Sequence, residues 1–182
     1  MKKEIKKILK ITEGTQVEID LPIIKISGPK GIVEKKFKIT KGIIIEKQGD
    51  EIIITHEKAT KNEKKLIGSI VGILNSLIRG VNEEYEYEVM ICAAHFPMTV
   101  KVEGNKLIIK NFFGENKDRE IKIPVGARVS IQGDIIKILS PDKELAGLTA
   151  STFEGATRLT TRDRRIFQDG LWIVKKQKGK QR

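Results

Sequence analysis

Cysteine, histidine and aromatic residues are scarce in this chain. Of its 182 residues, one is cysteine, two are histidine and 5% are aromatic. The single cysteine, Cys92, excludes an internal disulfide and a zinc site built on paired cysteines, and its apolar neighbours favour a core position over a nucleophile. Because aromatic rings are few, the core must consist mainly of isoleucine, leucine and valine, of which isoleucine and valine favour strands.

Long hydrophobic runs are also missing. The longest mostly apolar segment, 66–78, is too short to cross a bilayer and is interrupted by glycine, serine and asparagine. The basic segment "MKKEIKKILKI" is not followed by the apolar stretch that a secretory signal requires. We therefore expect a protein of the cytoplasm, a reducing compartment, with no membrane association.

The sequence contains no recognisable catalytic or metal-binding motif. His56 and His95 lack a second histidine or a carboxylate at metal-ligand spacing, which favours packing or surface roles. The glycine-rich "SGPKG" (27–31) reads as a hairpin turn, and the glutamates of "NEEYEYE" (82–88) as one solvated face of a strand, with the tyrosines on the other. The sequence thus predicts no enzyme, no metal and no cofactor.

Basic residues are in excess and unevenly placed. The net charge is +11 and the isoelectric point is about 9.7. Residues 1–81 have a net charge of +7, residues 82–157 of −3, and residues 158–182 again of +7. Charge this concentrated suits a polyanion, nucleic acid first and an anionic membrane second, with a solvated, solubilising tail as the alternative.

Two stretches of the sequence repeat each other. Segments 46–62 and 130–145 each contain a strand, a "QGD" turn, an isoleucine-rich strand and a helix start, with the turns 84 residues apart. The glycine of each turn can supply the positive φ of a two-residue hairpin. A weaker correspondence links "PIIKISGPKG" (22–31) with "PMTVKVEGNK" (97–106).

Each repeat contains one predicted helix. The first begins at a capping box of Thr60 and Glu63 and ends at Gly80. The second begins with Ser140 as N-cap and Pro141 at the first helical position. The positions expected to face the core are Leu66, Ile67, Ile70, Val71, Leu74, Leu77 and Ile78 in the first helix, and Leu145, Leu148, Thr152, Ala156 and Leu159 in the second.

This order of elements predicts an α+β fold. We expect two similar domains from an internal repeat, each a small antiparallel sheet with one helix packed on it. The predicted boundaries are 1–81 for the N-terminal domain, 82–174 for the C-terminal domain and 175–182 for a basic tail. The strand at 85–94, "YEYEVMICAA", would begin the second domain.

Four arginines lie within residues 158–165. Arginine in quantity indicates contacts with two oxygens at once, or stacking on bases. If the second helix extends this far, Arg158, Arg162 and Arg165 share one of its faces and Arg164 points elsewhere. For Asp163 and Asp169, pairing with neighbouring arginines or capping of a turn is expected rather than metal binding.

Trp172, the only tryptophan, follows an Asp-Gly turn. It either stacks on RNA or, as we favour, packs against the domain and anchors the tail. The terminal "KKQKGKQR" has no apolar residue and reads as a flexible arm that becomes ordered on a polyanion.

At these residues the chain resembles a known family. The doubled unit, "HFPMTVKVEGNKLIIKNFFGE" and above all "RRIFQDGLWIV" are similar to large-subunit ribosomal protein six, in the archaeal and eukaryotic branch, where the eukaryotic counterpart is number nine. The resemblance covers essentially the whole chain. Trp172 stands where the family usually has tyrosine, and Gly155 where it often has glutamine.

The resemblance implies a structural, non-catalytic component of the cytoplasmic large ribosomal subunit, monomeric within the ribosome. It implies binding to large-subunit rRNA near the sarcin–ricin loop, beside the translation-factor site and the stalk base, with neighbouring ribosomal proteins as partners. The predicted rRNA contacts are Arg158, Arg162, Arg164, Arg165, Trp172, Lys175, Lys176, Lys178 and Lys180. Two alternatives remain: a free-standing binder of RNA, DNA or anionic membrane, and an enzyme acting on nucleic acid.

Overall fold

The computed structural model of the chain describes residues 3–160 and 162–176. Its internal contacts separate two compact units, Met1–Glu84 and Tyr85–Arg182. Each unit has its own buried hydrophobic cluster and combines antiparallel strands with one α-helix among its described residues. The predicted α+β class, with two similar units, is confirmed.

The first unit contains two antiparallel sheets and a long helix. Its elements are β1 (Lys3–Lys10), β2 (Gln16–Asp20), β3 (Ile23–Gly28), β4 (Gly31–Lys36), β5 (Ile44–Gln48), β6 (Glu51–Ala59) and α1 (Lys61–Asn82). One sheet has the strand order β1-β6-β5 and the other β2-β3-β4. Helix α1 contacts strands of both sheets, and its apolar face closes the core between them.

Helix α1 begins as predicted. Thr60 and Glu63 form the capping box, in which the Glu63 carboxylate accepts a hydrogen bond from the backbone N–H of Thr60. Hydrogen bonding to Thr60 holds the pKa of Glu63 below its ordinary value. Among the seven predicted core positions, the structure buries Ile67, Ile70, Leu74, Leu77 and Ile78 and half-buries Leu66 and Val71.

The end of α1 differs from the prediction. The helix continues two residues past Gly80, to Asn82. Val81 is fully buried against Gly28, where an added Cβ would lie 2.8 Å from the Val81 Cγ2. The Asn82 side-chain amide donates a hydrogen bond to the Thr15 Oγ1 at 2.9 Å. These tertiary contacts stabilise the last residues of the helix, although a glycine at position 80 would by itself favour an earlier end.

The second unit repeats this layout and adds a strand. Its elements are β7 (Tyr85–Cys92), β8 (Thr99–Glu103), β9 (Lys106–Lys110), β10 (Arg119–Lys122), β11 (Arg128–Gln132), β12 (Ile135–Ser140), α2 (Lys143–Ala156) and β13 (Gly170–Lys176), with a short 3₁₀ helix at Phe112–Gly114. The sheets have the orders β10-β9-β8 and β11-β12-β7-β13. Tyr85 and Tyr87 face the core, as the alternation predicted.

The strand order confirms the repeat and corrects the weaker of the two predicted sequence correspondences. Gly49 and Gly133 both have φ of 59° in the turns β5–β6 and β11–β12. The sheet β1-β6-β5 corresponds to β7-β12-β11, and β2-β3-β4 to β8-β9-β10. The predicted match of 22–31 with 97–106 was wrong by one strand, because it aligns β3 with β8 rather than β9. Neighbouring hairpins of one meander share the same local pattern, so sequence similarity alone did not separate them.

Helix α2 starts later and is rotated relative to the prediction. Its N-cap is Asp142, whose Oδ1 accepts a hydrogen bond from the Glu144 N–H at 2.9 Å, whereas Ser140 ends strand β12. The completely buried ring of Phe153 sets the inward face, and Leu148 is 60% exposed. The buried positions are Ala146, Thr149, Ala150 and Phe153. Because three of these four side chains are small, the periodic pattern of large apolar residues was too weak to predict which face of α2 is buried.

Strand β13 distinguishes the second unit from the first. It pairs antiparallel with β7, which therefore lies inside its sheet, whereas the corresponding β1 is an edge strand among the described residues. Strand β13 extends to Lys176, so the predicted tail 175–182 begins within the sheet. Backbone pairing of Lys175 with Glu88 and of Lys176 with Tyr87 orders these residues despite their polarity.

Candidate nucleic-acid interface

Residues 158–169 connect α2 to β13 and carry four arginines; we call them the arginine loop. Helix α2 ends at Ala156, so the condition under which Arg158, Arg162 and Arg165 would share a helical face is not met. Thr157 is the C-cap of the helix. Its backbone N–H contacts the carbonyls of the last turn, and its side chain is committed to tertiary hydrogen bonds.

The two ends of the arginine loop meet at Thr157. Its hydroxyl oxygen accepts a hydrogen bond from the Leu171 N–H at 2.9 Å and donates to the Glu154 carbonyl at 3.2 Å. Gly170 has φ of 143°, and an added Cβ would lie 3.0 Å from the Thr157 Oγ1. Any other residue at position 170 would strain the backbone and press on this hydrogen bond. The segment is therefore a closed surface loop on the second unit.

A buried carboxylate fixes the C-terminal end of the loop. Asp169 is 4% exposed; its Oδ1 accepts a hydrogen bond from the His95 N–H at 2.8 Å, and its Oδ2 lies 2.5 Å from the His95 Nδ1. Burial disfavours the charged carboxylate, but the backbone and ring hydrogen bonds from His95 outweigh it and hold the pKa of Asp169 below its ordinary value. Asp169 thus pairs with His95 rather than with a neighbouring arginine.

Four of the six phenylalanines meet beside this pair. The ring of Phe167 lies 5.2 Å from that of His95 and 5.9 Å from that of Phe113, centroid to centroid. Phe113 also contacts Phe96 at 5.9 Å and the buried Phe112 at 5.0 Å. We call Phe96, Phe112, Phe113 and Phe167 the phenylalanine cluster. It joins three loops of the second unit around one set of rings.

The phenylalanine cluster carries arginine side chains on its rings. The Arg162 guanidinium lies 5.0 Å from the Phe167 centroid and 5.5 Å from the Phe113 centroid. Arg119 lies 4.3 Å from Phe112 and donates hydrogen bonds to the Ala156 carbonyl and the Glu115 carboxylate. Arg119 is therefore committed within the fold, whereas Arg162 has only aromatic contacts with the described residues, which leave its N–H groups available.

Arg164 lies on the second aromatic support of the loop. Its guanidinium is 4.9 Å from the ring of Trp172, and the Trp172 Nε1–H donates a hydrogen bond to the Gln168 carbonyl at 2.8 Å. Trp172 is half-buried on β13. It packs against the second unit, as the favoured prediction had it, but what it holds there is the arginine loop rather than the tail, and it presents an arginine on its ring.

The tip of the loop is organised by Asp163. Its Oδ1 accepts a hydrogen bond from the Arg165 N–H at 2.9 Å and lies 3.3 Å from the Arg165 Nε, and its carbonyl accepts from the N–H of Phe167 at 2.9 Å. The predicted turn-capping and arginine-pairing role of Asp163 is confirmed. The Arg165 side chain is 90% exposed, and Arg158 is exposed as well.

The predicted lysine contacts are in different situations. Lys175 lies 2.7 Å from Glu88 and 3.3 Å from Glu86, which raises its pKa and offsets its charge. A bulge at Val174 turns Lys175 toward these glutamates. Lys176 is exposed on β13, and Lys178 and Lys180 lie outside the described residues.

The described part of the chain contains no further cluster of potentially catalytic or metal-binding side chains. His56 is buried, with its Nδ1 accepting a hydrogen bond from the Lys58 N–H at 3.1 Å. Burial raises the pKa of the Cys92 thiol, and Asp169 and Asp134 act in the same direction. Residues 3–160 and 162–176 contain no cluster of three potential metal ligands. None of their helices is long and apolar enough to span a membrane.

Sequence reasoning missed the supports of the arginine loop. His95 and Asp169 are 74 residues apart, so no spacing motif links them. The adjacent Phe112 and Phe113 were the available signal, because an aromatic pair between polar turn residues is unusual in a chain so poor in aromatic rings. Asn111 and Phe113 also adopt positive φ, at 57° and 52°, which only the folded structure reveals.

Comparison with known proteins finds relatives along nearly the whole chain, although no family model matches it. The chain is 41% identical over 176 residues to large ribosomal subunit protein uL6 of Methanosarcina mazei, covering 97% of this chain and 99% of that protein. It is 38% identical to the uL6 protein of Sulfurisphaera tokodaii, covering 93% and 91%. It is 39% identical to that of Desulfurococcus amylolyticus, covering 92% of each.

Proposed function

The chain belongs to the uL6 family of large ribosomal subunit proteins, and from that membership we propose that it is a structural component of the large ribosomal subunit that binds large-subunit rRNA and has no catalytic activity. In this proposal it acts in the cytoplasm as a single copy per ribosome. It needs no metal or cofactor, because its task is to bind and position rather than to react.

The arginine loop is the observation that carries the rRNA assignment. Arg158, Arg162 and Arg164 form no ion pair with any described residue, although they stand within seven residues of one another. Like charges this close repel each other, and a fold alone gains nothing by collecting them. An array of phosphates would reverse that cost, because each guanidinium can hold two phosphate oxygens at once.

The aromatic supports favour RNA over a structureless polyanion. The rings beneath Arg162 and Arg164 restrict two long side chains that would otherwise lose considerable freedom on binding. Guanidinium planes held in this way can also stack on unpaired bases, a frequent mode of RNA recognition. Lys176 on β13 and the predicted contacts Lys178 and Lys180 would extend the basic surface.

The family resemblance also supports a proposal about the position within the subunit. We propose that the second unit docks close to the sarcin–ricin loop, beside the translation-factor site and the stalk base, and that neighbouring ribosomal proteins complete its surroundings. Lys175, whose charge is already offset by Glu86 and Glu88, contributes least among the predicted contacts. The other loop and strand residues carry the binding.

Sedimentation tests the subunit assignment directly. The tagged full-length chain, expressed in its source organism, should remain stoichiometric with large subunits through a sucrose gradient at high salt. Chemical footprints on the rRNA near the sarcin–ricin loop should then disappear when the chain is depleted. Release of the chain into the soluble fraction at high salt would contradict the proposal and favour the alternative of a free-standing polyanion binder.

The alternative also differs in specificity. A free-standing binder of RNA, DNA or anionic membrane would be displaced equally by any polyanion of similar charge density. For the proposed ribosomal role, an rRNA fragment containing the sarcin–ricin loop should compete far better than duplex DNA or anionic vesicles at the same salt concentration. Equal competition by all three would remove the case for rRNA.

A further inference from the structure

We propose that His95 and Asp169 are positioning residues for rRNA binding: their hydrogen-bonded pair holds the arginine loop so that Arg162 meets the RNA in a fixed orientation. This inference rests on the proposed function of the loop. Neither residue belongs to the basic set from which contacts are predicted, and neither needs to touch the nucleic acid.

The pair connects the loop to a different part of the second unit. Asp169 is the last residue before β13, and His95 belongs to the connection between β7 and β8. One carboxylate accepts hydrogen bonds from both the backbone and the ring of His95, at 2.8 and 2.5 Å. Two bonds from one buried group fix direction as well as distance, which a single exposed ion pair does not.

A chain of ring contacts leads from this pair to Arg162. The His95 ring packs on Phe167 at 5.2 Å, and Phe167 packs on Phe113 at 5.9 Å. The Arg162 guanidinium rests on both phenylalanines. Loss of the His95–Asp169 hydrogen bonds would free the His95 ring, then Phe167, and with it the support that orients Arg162.

A catalytic role for the pair does not fit its surroundings. A histidine oriented by aspartate acts as a general base when a hydroxyl or thiol lies within hydrogen-bond reach of its other ring nitrogen. Within residues 3–160 and 162–176, no hydroxyl or thiol hydrogen-bonds to His95. The ring instead stacks on Phe167, so its contacts are those of a support.

The test is a double-mutant cycle on the full-length chain. Binding to an rRNA fragment containing the sarcin–ricin loop is measured for the wild type, Asp169→Asn, Arg162→Ala and the double variant. We expect Asp169→Asn to weaken binding about tenfold in the wild-type background and less than about twofold in the Arg162→Ala background, because the pair acts through Arg162. Glu120→Gln, which removes the surface pair with Lys106, is the matched control and should leave affinity unchanged.

Hydrogen exchange supplies a readout that overall destabilisation would not reproduce. In Asp169→Asn, the amides of Ile166 and Phe167 should exchange faster while those of β8 and β9 keep their protection. His95→Gln serves as a second variant if Asp169→Asn does not fold. Unfolding of both variants would mean that the pair supports the whole unit rather than the loop, and would overturn the inference.

The remaining outcomes separate this inference from the function on which it rests. If the wild type does not bind the rRNA fragment, the proposed function fails and the positioning role fails with it. If the wild type binds and Arg162→Ala weakens binding, but Asp169→Asn and His95→Gln bind normally, the rRNA function stands and the positioning role is wrong. Equal tenfold losses from Asp169→Asn in both backgrounds would also contradict it, because they show no coupling to Arg162.

Discussion

Residues 1–81 and the C-terminal segment 158–182 have equal excess charge in different forms. Residues 1–81 have a net charge of +7 from 17 basic and 10 acidic residues, and residues 158–182 reach the same value with nine basic and two acidic residues. In residues 1–81 the lysines are distributed over strands, turns and a helix. In the C-terminal segment, one closed loop contains three arginines that have no ion-pair partner among the described residues, and two of these arginines lie on aromatic rings. Equal net charge is therefore spread over the surface of residues 1–81 but concentrated on one organised loop in the C-terminal segment.

The two units also differ at one sheet edge. Within the part of the chain that the structure describes, strand β1 has no partner on its outer side, and it is rich in lysine, a common protection of edge strands against aggregation. The corresponding β7 is covered by β13, which brings with it the arginine loop. One C-terminal extension thus completes a sheet and presents a charged loop, and the repeated unit itself needs neither feature.

The largest expected contrast concerns independent folding. We propose that residues 1–84 form a domain, because they contain both sheets, α1 and a complete buried cluster. A chain ending at Glu84 should show a native circular dichroism spectrum and a single cooperative urea transition. A spectrum of an unfolded chain would show that the first unit requires the second.

The charge comparison predicts unequal losses of rRNA affinity. Changing Arg162, Arg164 and Arg165 together to alanine should weaken binding strongly and reduce the slope of log affinity against log salt by about two to three, since fewer counterions are released. Changing Lys6, Lys7 and Lys10 removes the same charge from β1 and should cost far less. Filter binding across a salt series measures both. An unchanged slope for the arginine variant would refute the assignment of the loop.

The sheet-edge comparison predicts that β13 stabilises only the second unit. Leu171 is 1% exposed, so Leu171→Ala should lower the free energy of unfolding by about 2–5 kcal/mol. The matched control is Val174→Ala at the 50% exposed bulge position, which should change it by less than about 0.5 kcal/mol. Trp172 fluorescence reports on the second unit alone, because it is the only tryptophan. Equal effects of the two substitutions would show that β13 is not anchored by its buried side.

The smallest expected effect is on acid stability. The pKa of Asp169 is lower in the folded chain than its ordinary value of 3.8, so its contribution to stability is fully present above that value and is lost as the pH falls through the folded pKa. The second unit of the wild type should therefore lose stability below about pH 4, and Asp169→Asn should flatten this part of the curve. Urea midpoints followed by Trp172 fluorescence at pH 3 to 6 provide the measurement. Parallel curves for the two proteins would contradict a stabilising Asp169 carboxylate.

Local signals in the sequence predicted the elements well. The capping box of Thr60 and Glu63 and the turns at Gly49 and Gly133 depend on residues within three positions of each other, and each formed as expected. The end of α1 was wrong because Val81 and Asn82 are held by residues of the β2–β4 region. The inward face of α2 was wrong because its one large buried side chain, Phe153, outweighed the leucines of the pattern.

The sequence by itself determined the α+β repeat, the segregation of basic charge and the arginine-rich segment with its family resemblance, since these depend on residue order and composition. Only the tertiary structure decided how that segment is held. Three contacts join residues that are separated in the chain: the hydrogen bond between the Thr157 hydroxyl and the Leu171 N–H, the pairing of Asp169 with His95, and the aromatic rings beneath Arg162. Such contacts have no periodicity or spacing to detect, because their geometry arises only when the sheet and helix of the second unit have packed.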